Sequence, residues 1–296
     1  MKVLCVGDLH ITDKKPARRV DENYLQTVIN KFQFILKAES KDSCVCVLQP
    51  GDFFDSASVS EKTKVNVISE TKGSCIFTVF GQHDQRYHSS KSTDNTSMAV
   101  LLTANSKYVT LLTKKPLQMG IDLNLYGCSW GEDVPEIKNK EHFNILVIHK
   151  TFLEAPGSDN FAGTPTKTFL KEYPFDLVVA GDNHKTFVVK YKDRILINAG
   201  SMMRTSRNQI DHKPCVFVFD TDTRTFEKIY IPIEKEVFTE EPVTTLDNED
   251  LILFAEELVG LIDSSKFDFK KVIVAMVNKK IELKQMAEEI IGRKLS

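Results

Sequence analysis

The sequence predicts a layered α/β protein with two packed sheets, followed by a small, mainly helical tail. Three observations carry this expectation. Five short apolar runs each stop at a cluster of Asp, His or amide residues: Val3–Val6 before Gly7-Asp8-Leu9-His10, Cys44–Leu48 before Gly51-Asp52-Phe53-Phe54-Asp55, Cys75–Phe80 before Gly81-Gln82-His83-Asp84, Ile145–Ile148 before His149, and Leu177–Ala180 before Gly181-Asp182-Asn183-His184. Helical and strand patterns alternate through the first half, as in layered α/β structure. Beyond residue 184 the patterns are of strands alone, which calls for a second sheet.

In chain order, runs of about 4–6 apolar, β-rich residues bounded by Gly or Pro read as buried strands. After the first strand, Glu22–Ala38 carries apolar residues at 25, 28, 29, 32, 35 and 36, the stripe of a helix with one buried face. The strand at 44–48 precedes a second helix at Ser60–Ser69, the strand at 75–80 and a short helix around Met98–Leu102. Tyr108–Leu112 and Leu123–Gly127 read as strands. The segment 152–174 holds Pro156, Gly157, Gly163, Pro165 and Pro174 and reads mostly as loop. Phe187–Tyr191, Ile195–Asn198, Cys215–Phe219 and Lys228–Ile231 complete the strands, with a hairpin turn at Asp220–Arg224. The acidic, Pro-containing stretch Thr239–Asp250 reads as a linker. Past it, Leu251, Phe254, Leu258, Leu261 and Ile262 have helical spacing, and Lys284–Ile291 is a last helix. Phe269, Val272, Ile273, Met276 and Val277 repeat the helical pattern, although 271–278 also suits a strand. The expected division is a main domain at 1–235 and a tail at 236–296.

The 296 residues are 42% hydrophobic and 27% charged, the composition of a soluble globular protein. A net charge of −2 argues against holding nucleic acid by bulk charge, though not against an enzyme whose metal ions supply positive charge at a phosphate. No run approaches the roughly 20 apolar residues of a membrane span, and Met1–Val6 is shorter than the apolar region of about 7–15 residues in a signal peptide. The expected location is the cytoplasm, with no membrane partner. Five of the six cysteines (5, 44, 46, 75, 128 and 215) lie in or beside strand-like runs, and no CxxC pair occurs, so they read as core residues rather than zinc ligands or disulfides.

In layered α/β folds, ligands gather where the carboxyl ends of strands open into loops. Five strand ends bearing hard oxygen and imidazole donors therefore describe one metal site assembled from the whole fold. In order along the chain, Asp-x-His, Gly-Asp-x-x-Asp, Gly-amide-His-Asp, a lone His and Gly-x-x-His resemble the signature of calcineurin-like metallophosphoesterases, over roughly residues 1–232. The resemblance implies a four-layer sandwich of two mixed sheets between helices. Within that superfamily the chain looks most like the SbcD-type nucleases of DNA repair and recombination, in a phage or prophage version. The Asn198-Ala-Gly-Ser201 turn and the block Asn198–Pro214 carry this likeness.

By matching position, the resemblance implies a first metal held by Asp8, His10, Asp52 and His184. Asp52 bridges to a second, which also takes Gln82, His149 and Asp182. Gln82 stands where the family has Asn, and Asp182 where it has His, both departures falling on the second metal. The implied cofactors are two divalent ions, foremost Mn²⁺, with Mg²⁺, Fe²⁺ or Zn²⁺ as alternatives. A hydroxide bridging them attacks the phosphodiester, His83 is the general acid, Asp84 orients its ring, and Asp55 positions the loop. His88, Arg19 and Arg204 are candidate substrate contacts. Lys14, Lys15 and Arg18 form either a DNA-backbone contact or a solvated loop. Trp130 reads as packing near the site, and His142 and His212 as structural or exposed. The implied partners are DNA and an SbcC-like coiled-coil ATPase docked through the tail, with a homodimer as a further expectation. Two other functions stay open: a phosphomonoesterase or cyclic-nucleotide phosphodiesterase, and a non-catalytic scaffold of the same fold.

Overall fold

Alternate residues of the central strands point into two different cores, and this sets the layers. The computed structural model describes residues 1–239 except 90–91, 160–161, 207–208 and 235–236. The chain runs β1 (Lys2–Cys5), α1 (Tyr24–Lys41), β2 (Val47–Gln49), α2 (Glu61–Glu70), β3 (Ile76–Thr78), a 3₁₀ turn (Arg86–His88), α3 (Ser97–Ala104), β4 (Val109–Leu111), β5 (Leu117–Met119), β6 (Leu123–Cys128) and β7 (Phe143–His149). It continues through β8 (Phe152–Leu153), β9 (Thr164–Pro165), α4 (Thr166–Glu172), β10 (Leu177–Gly181), β11 (Phe187–Tyr191), β12 (Arg194–Asn198), β13 (Cys215–Asp220) and β14 (Thr225–Tyr230).

Among the described residues, one six-stranded sheet has the order β14-β13-β1-β2-β3-β4 and the other β11-β12-β10-β7-β6-β5. β1 to β4 run parallel, with Leu4 beside Val47 and Val47 beside Ile76, while β13 and β14 are antiparallel additions. In the second sheet β6, β7, β10 and β12 are parallel, with Val178 between Leu146 and Leu196.

The period of two along each strand separates the faces. Val3, Cys5 and Leu48 of the first sheet meet Ile145, Val147, Leu177, Val179 and Ile197 of the second in the inter-sheet core. Leu4, Val47 and Ile76 face the other way, onto Val28, Phe32 and Ile35 of α1, Val67 of α2 and Leu101 of α3. Leu146, Val178 and Ala180 face Phe169 and Leu170 of α4. The result is the expected four-layer sandwich. Side-chain caps start three of the helices: Asn23 Oδ1 accepts from Gln26 N (3.1 Å), Ser60 Oγ from Thr63 N (3.2 Å) and Thr96 Oγ1 from Ala99 N (3.2 Å).

One expectation needs correction. The segment 152–174 is only about half loop, since it supplies β8, β9 and α4. Pro165, read as a breaker, is the residue from which α4 starts, and a proline suits a helix start because the missing N–H would be unpaired there anyway. The described residues belong to a compact unit running Met1–Glu240. Apart from 237–239, the expected tail, including the choice between helix and strand at 271–278, lies outside the described residues. Among those residues no helix is long and apolar enough to cross a membrane.

Candidate metal centre

The carboxyl ends of β1, β2, β3, β7 and β10 deliver the predicted ligand residues to one place. His10, Asp52 and Asp182 do so with φ of 44°, 49° and 83°, the left-handed region that non-glycine residues seldom occupy. Such backbone is held only where surrounding contacts enforce it. Here Leu9 N and His10 N donate to Asp52 O (3.1 and 3.0 Å), and Asp182 N donates to both oxygens of Asp8 (3.2 and 3.0 Å). Two glycines make room. A Cβ on Gly81 would fall 2.0 Å from Asp52 Oδ1, and one on Gly181 would fall 2.4 Å from Asp8 Oδ1.

Side-chain donors converge across the seam between the sheets. His10 Nε2 and His184 Nε2 are 3.1 Å apart, and His184 Nε2 is 3.7 Å from Asp8 Oδ2. Asp52 Oδ2 is 3.7 Å from His10 Nε2 and 3.5 Å from His149 Nε2, so it lies between the two halves of the cluster. The second half continues to Asp182 Oδ1, 3.9 Å from His149 Nε2, which accepts from Gln82 Nε2 at 2.6 Å. The seven predicted ligand residues are therefore brought together, with Asp52 placed as a bridge.

The donor set fits divalent cations. Asp8, Asp52 and His149 have fully buried side chains, and Asp52 Oδ2 and His149 Nε2 have no hydrogen-bond partner. Buried polar atoms are ordinarily hydrogen-bonded, and a cation is a partner that both of these, 3.5 Å apart, could bind. Charge says the same. Burial, reinforced by Asp52 and Asp182, pushes the Asp8 carboxyl up to about 7 despite nearby His149. Asp52 is held well below the ordinary carboxylate range: burial opposes this, but His149, His10 and His83 outweigh it. His149 is driven up to about 10, burial being overcome by Asp52 and Asp8, while burial and then His10 pull His184 down to about 4. Without cations this cluster retains protons on groups that would ligate only after losing them, so cation uptake releases protons. Carboxylate, amide and imidazole donors without thiolate suit oxygen-preferring divalent ions.

His10, Asp52 and His149 are each oriented from behind, as ligands must be. His10 Nδ1 faces Asp55 Oδ1 at 3.3 Å, His149 Nδ1 faces Pro50 O at 2.6 Å, and Asp52 Oδ1 accepts from His83 N at 2.9 Å. Asp84, expected to orient His83, also ties two loops together. Its buried carboxylate accepts from Phe53 N (3.2 Å), Phe54 N (3.0 Å) and Gly81 N (3.0 Å), fastening the loop after β2 to the loop after β3. The partner of His83 Nδ1 is the main-chain oxygen of Asp55, at 2.7 Å. His83 Nε2 lies 4.0 Å from Asp52 Oδ2, and its side chain is 39% exposed beside a fully buried Asp52, which puts it at the mouth of the cluster.

Two expected substrate contacts are also corrected. Arg19 is 3% exposed, its guanidinium held by both oxygens of Asp21 (2.7 Å each) and by Arg204 O (3.1 Å). Arg204 is 8% exposed and donates to Ile210 O (3.0 Å) and Glu234 O (2.8 Å). Both arginines are structural cross-links. His88 closes the 3₁₀ turn that follows the His83 loop. Trp130 packs with its ring centroid 6.1 Å from that of His149, and His212 Nε2 lies 2.8 Å from Ser201 O, in a structural role. Two supporting residues escaped the sequence reading. Thr151 Oγ1 donates to Asp182 Oδ2. Gln49 Oε1 accepts from Gly51 N (3.1 Å) and Thr78 Oγ1 (2.5 Å), bracing the turn that carries Asp52. Neither stands in a motif, so no local pattern marks them.

Two α/β sheets whose strand ends pool carboxylates and imidazoles around a bridging Asp define a metallophosphoesterase. The chain belongs to the calcineurin-like phosphoesterase family, whose model matches residues 1–186. No curated protein matches the chain by sequence. Among solved structures, one crystal structure superposes with a TM-score of 0.51 at 11% identity, covering 78% of this chain and 99% of the other. An archaeal phosphodiesterase gives a TM-score of 0.44 at 14% identity, with 78% and 99% covered. GAP50, the anchor in the inner membrane complex of Plasmodium, gives 0.45 at 14% identity, with 86% and 94% covered. These are likenesses of fold.

Proposed function

We propose that this protein is a two-metal phosphodiesterase that hydrolyses DNA, a nuclease of the SbcD type from a phage or prophage setting. The observation that carries the reading is Asp52 Oδ2 lying between His10 and His149, with His83 Nε2 4.0 Å away at the exposed edge. Two divalent ions bound there, Mn²⁺ foremost, would neutralise a phosphodiester's oxygens and activate water near neutral pH. The rest falls to the chain. Asp8, His10, Asp52 and His184 would hold one ion, and Asp52, Gln82, His149 and Asp182 the other. Nδ1–H of His83 donates to the Asp55 carbonyl, so Nε2 faces the site, and the imidazolium form of the ring presents its second proton there. That proton goes to the departing alkoxide as the phosphorus–oxygen bond breaks.

The nuclease branch is supported by the Asn198–Pro214 block. Ser201 N donates to His184 O (3.2 Å) and Met202 N to Asp8 O (2.8 Å), so this turn braces both ends of the first-metal half. The deciding assay is Mn²⁺-dependent cleavage of end-labelled DNA by wild type beside His83→Ala. The expected result is a fall of about 10²–10⁴-fold in kcat for the variant with ion binding retained. Turnover of p-nitrophenyl phosphate or cyclic AMP without DNA cleavage would replace the nuclease reading by a small-substrate phosphoesterase. Activity in neither assay would favour a scaffold. The helical patterns past residue 250 support docking of a coiled-coil ATPase on the tail. Co-purification with that ATPase is then expected to be lost on deleting 247–296, and retention would remove the docking role.

A further inference from the structure

The two residues that depart from the family pattern touch each other. Gln82 Nε2 donates to Asp182 Oδ1 at 2.6 Å, and Thr151 Oγ1 donates to Asp182 Oδ2. Asp182 is thus held on both oxygens, and its own N–H is spent on Asp8. The bond to Asp182 fixes which end of the Gln82 amide is nitrogen, because a carboxylate oxygen can only accept. An Asn at 82 has a stem one carbon shorter, so it cannot span to Asp182 while serving the same cation. A His at 182 removes the oxygen that accepts the Gln82 N–H.

We infer that Thr151, Asp182 and Gln82 act as one hydrogen-bonded relay that sets the cation preference of the His149 half of the site. Asp182 Oδ1 is 3.9 Å from His149 Nε2, so the relay ends on that half. Its product is a carboxylate fixed on both oxygens and facing a single imidazole. Oxygen donors favour Mn²⁺ and Mg²⁺, whereas each added imidazole moves preference toward Zn²⁺. The two departures are therefore interdependent, and Thr151 belongs with them as a positioning residue.

Calorimetric titration of the chelator-stripped full chain with Mn²⁺ and with Zn²⁺ tests this without reference to turnover. The inference rests on the two-cation reading above. Wild type taking up one equivalent of Mn²⁺ would defeat that reading, whereas two equivalents leave the relay to be judged by its variants. Gln82→Asn alone is expected to weaken the second Mn²⁺ step about tenfold, the scale of a lost supporting contact. The same change made in Asp182→His should cost less than threefold, because the partner is already gone. Asp182→His should also raise the ratio of Zn²⁺ to Mn²⁺ affinity at that step about tenfold. Thr151→Val, of equal size and outside the ligand set, should weaken the second step about tenfold with the first within twofold. Additive costs for positions 82 and 182, or an unchanged second step in Thr151→Val, would overturn the relay.

Discussion

At the scale of single residues, the site is made possible by side chains that are absent as much as by those present. Gly81 lets the Asp52 carboxylate reach the centre, since a Cβ there would meet Asp52 Oδ1 at 2.0 Å and Asp52 N at 2.2 Å. Gly81→Ala is therefore expected to destabilise the fold by about 1–3 kcal/mol, as overpacking does. It should also abolish uptake of both cations if Asp52 serves both, as the proposed two-metal site requires. Urea unfolding with Mn²⁺ titration checks this, and a variant that still takes up two equivalents contradicts it. The residues gathered at the centre were legible in the sequence, because each sits at fixed spacing after an apolar run. The positioning residues were not. Arg19 read as a candidate substrate contact, because its partner carbonyl at Arg204 lies 185 residues away in the chain. Thr151 and Gln49 act through hydrogen bonds that only tertiary structure creates.

At the scale of elements, strands that feed the site were readable because buried parallel strands are continuous apolar runs. The misread stretch, 152–174, shows where that logic ends: two-residue strands and a seven-residue helix are too short to display a period. Contacts between elements add a pH dependence. Glu39 of α1 is 7% exposed and accepts from Cys75 N at 3.1 Å, just ahead of β3. Burial raises its carboxyl above the ordinary 4.5, the bonds from Cys75 and Ser74 offsetting only part of the effect. The folded chain thus keeps this proton when the unfolded chain has lost it. The associated stability is present at low pH and lost as pH rises through the raised value. Glu39→Gln keeps an acceptor for Cys75 N but never ionises. Its melting temperature relative to wild type should accordingly climb between pH 4 and pH 8, whereas an offset independent of pH would refute the assignment.

At the scale of the whole molecule, the cations belong to the stability of the fold as well as to its chemistry. Anything bound only by the native state stabilises it, by about 2.7 kcal/mol per site at a hundred times Kd. Chelator-treated protein is expected to melt at a lower temperature and to recover with added Mn²⁺. The recovery should weaken progressively as pH falls, because His149, driven up to about 10, and then Asp8, pushed up to about 7, hold protons that a cation must displace. Equal melting curves with and without Mn²⁺ would count against any cation site in the native state. The seam between the sheets has a broader consequence. Asp8, His10, Asp52 and Gln82 ride on the first sheet, His149, Asp182 and His184 on the second, and the side chains of Val3, Cys5, Leu48, Val147 and Val179 fill the space between. That apolar filling works as a spacer gauge. Its thickness sets how far apart the two banks of ligands stand, so the reach of the reactive centre is calibrated by residues that never touch it.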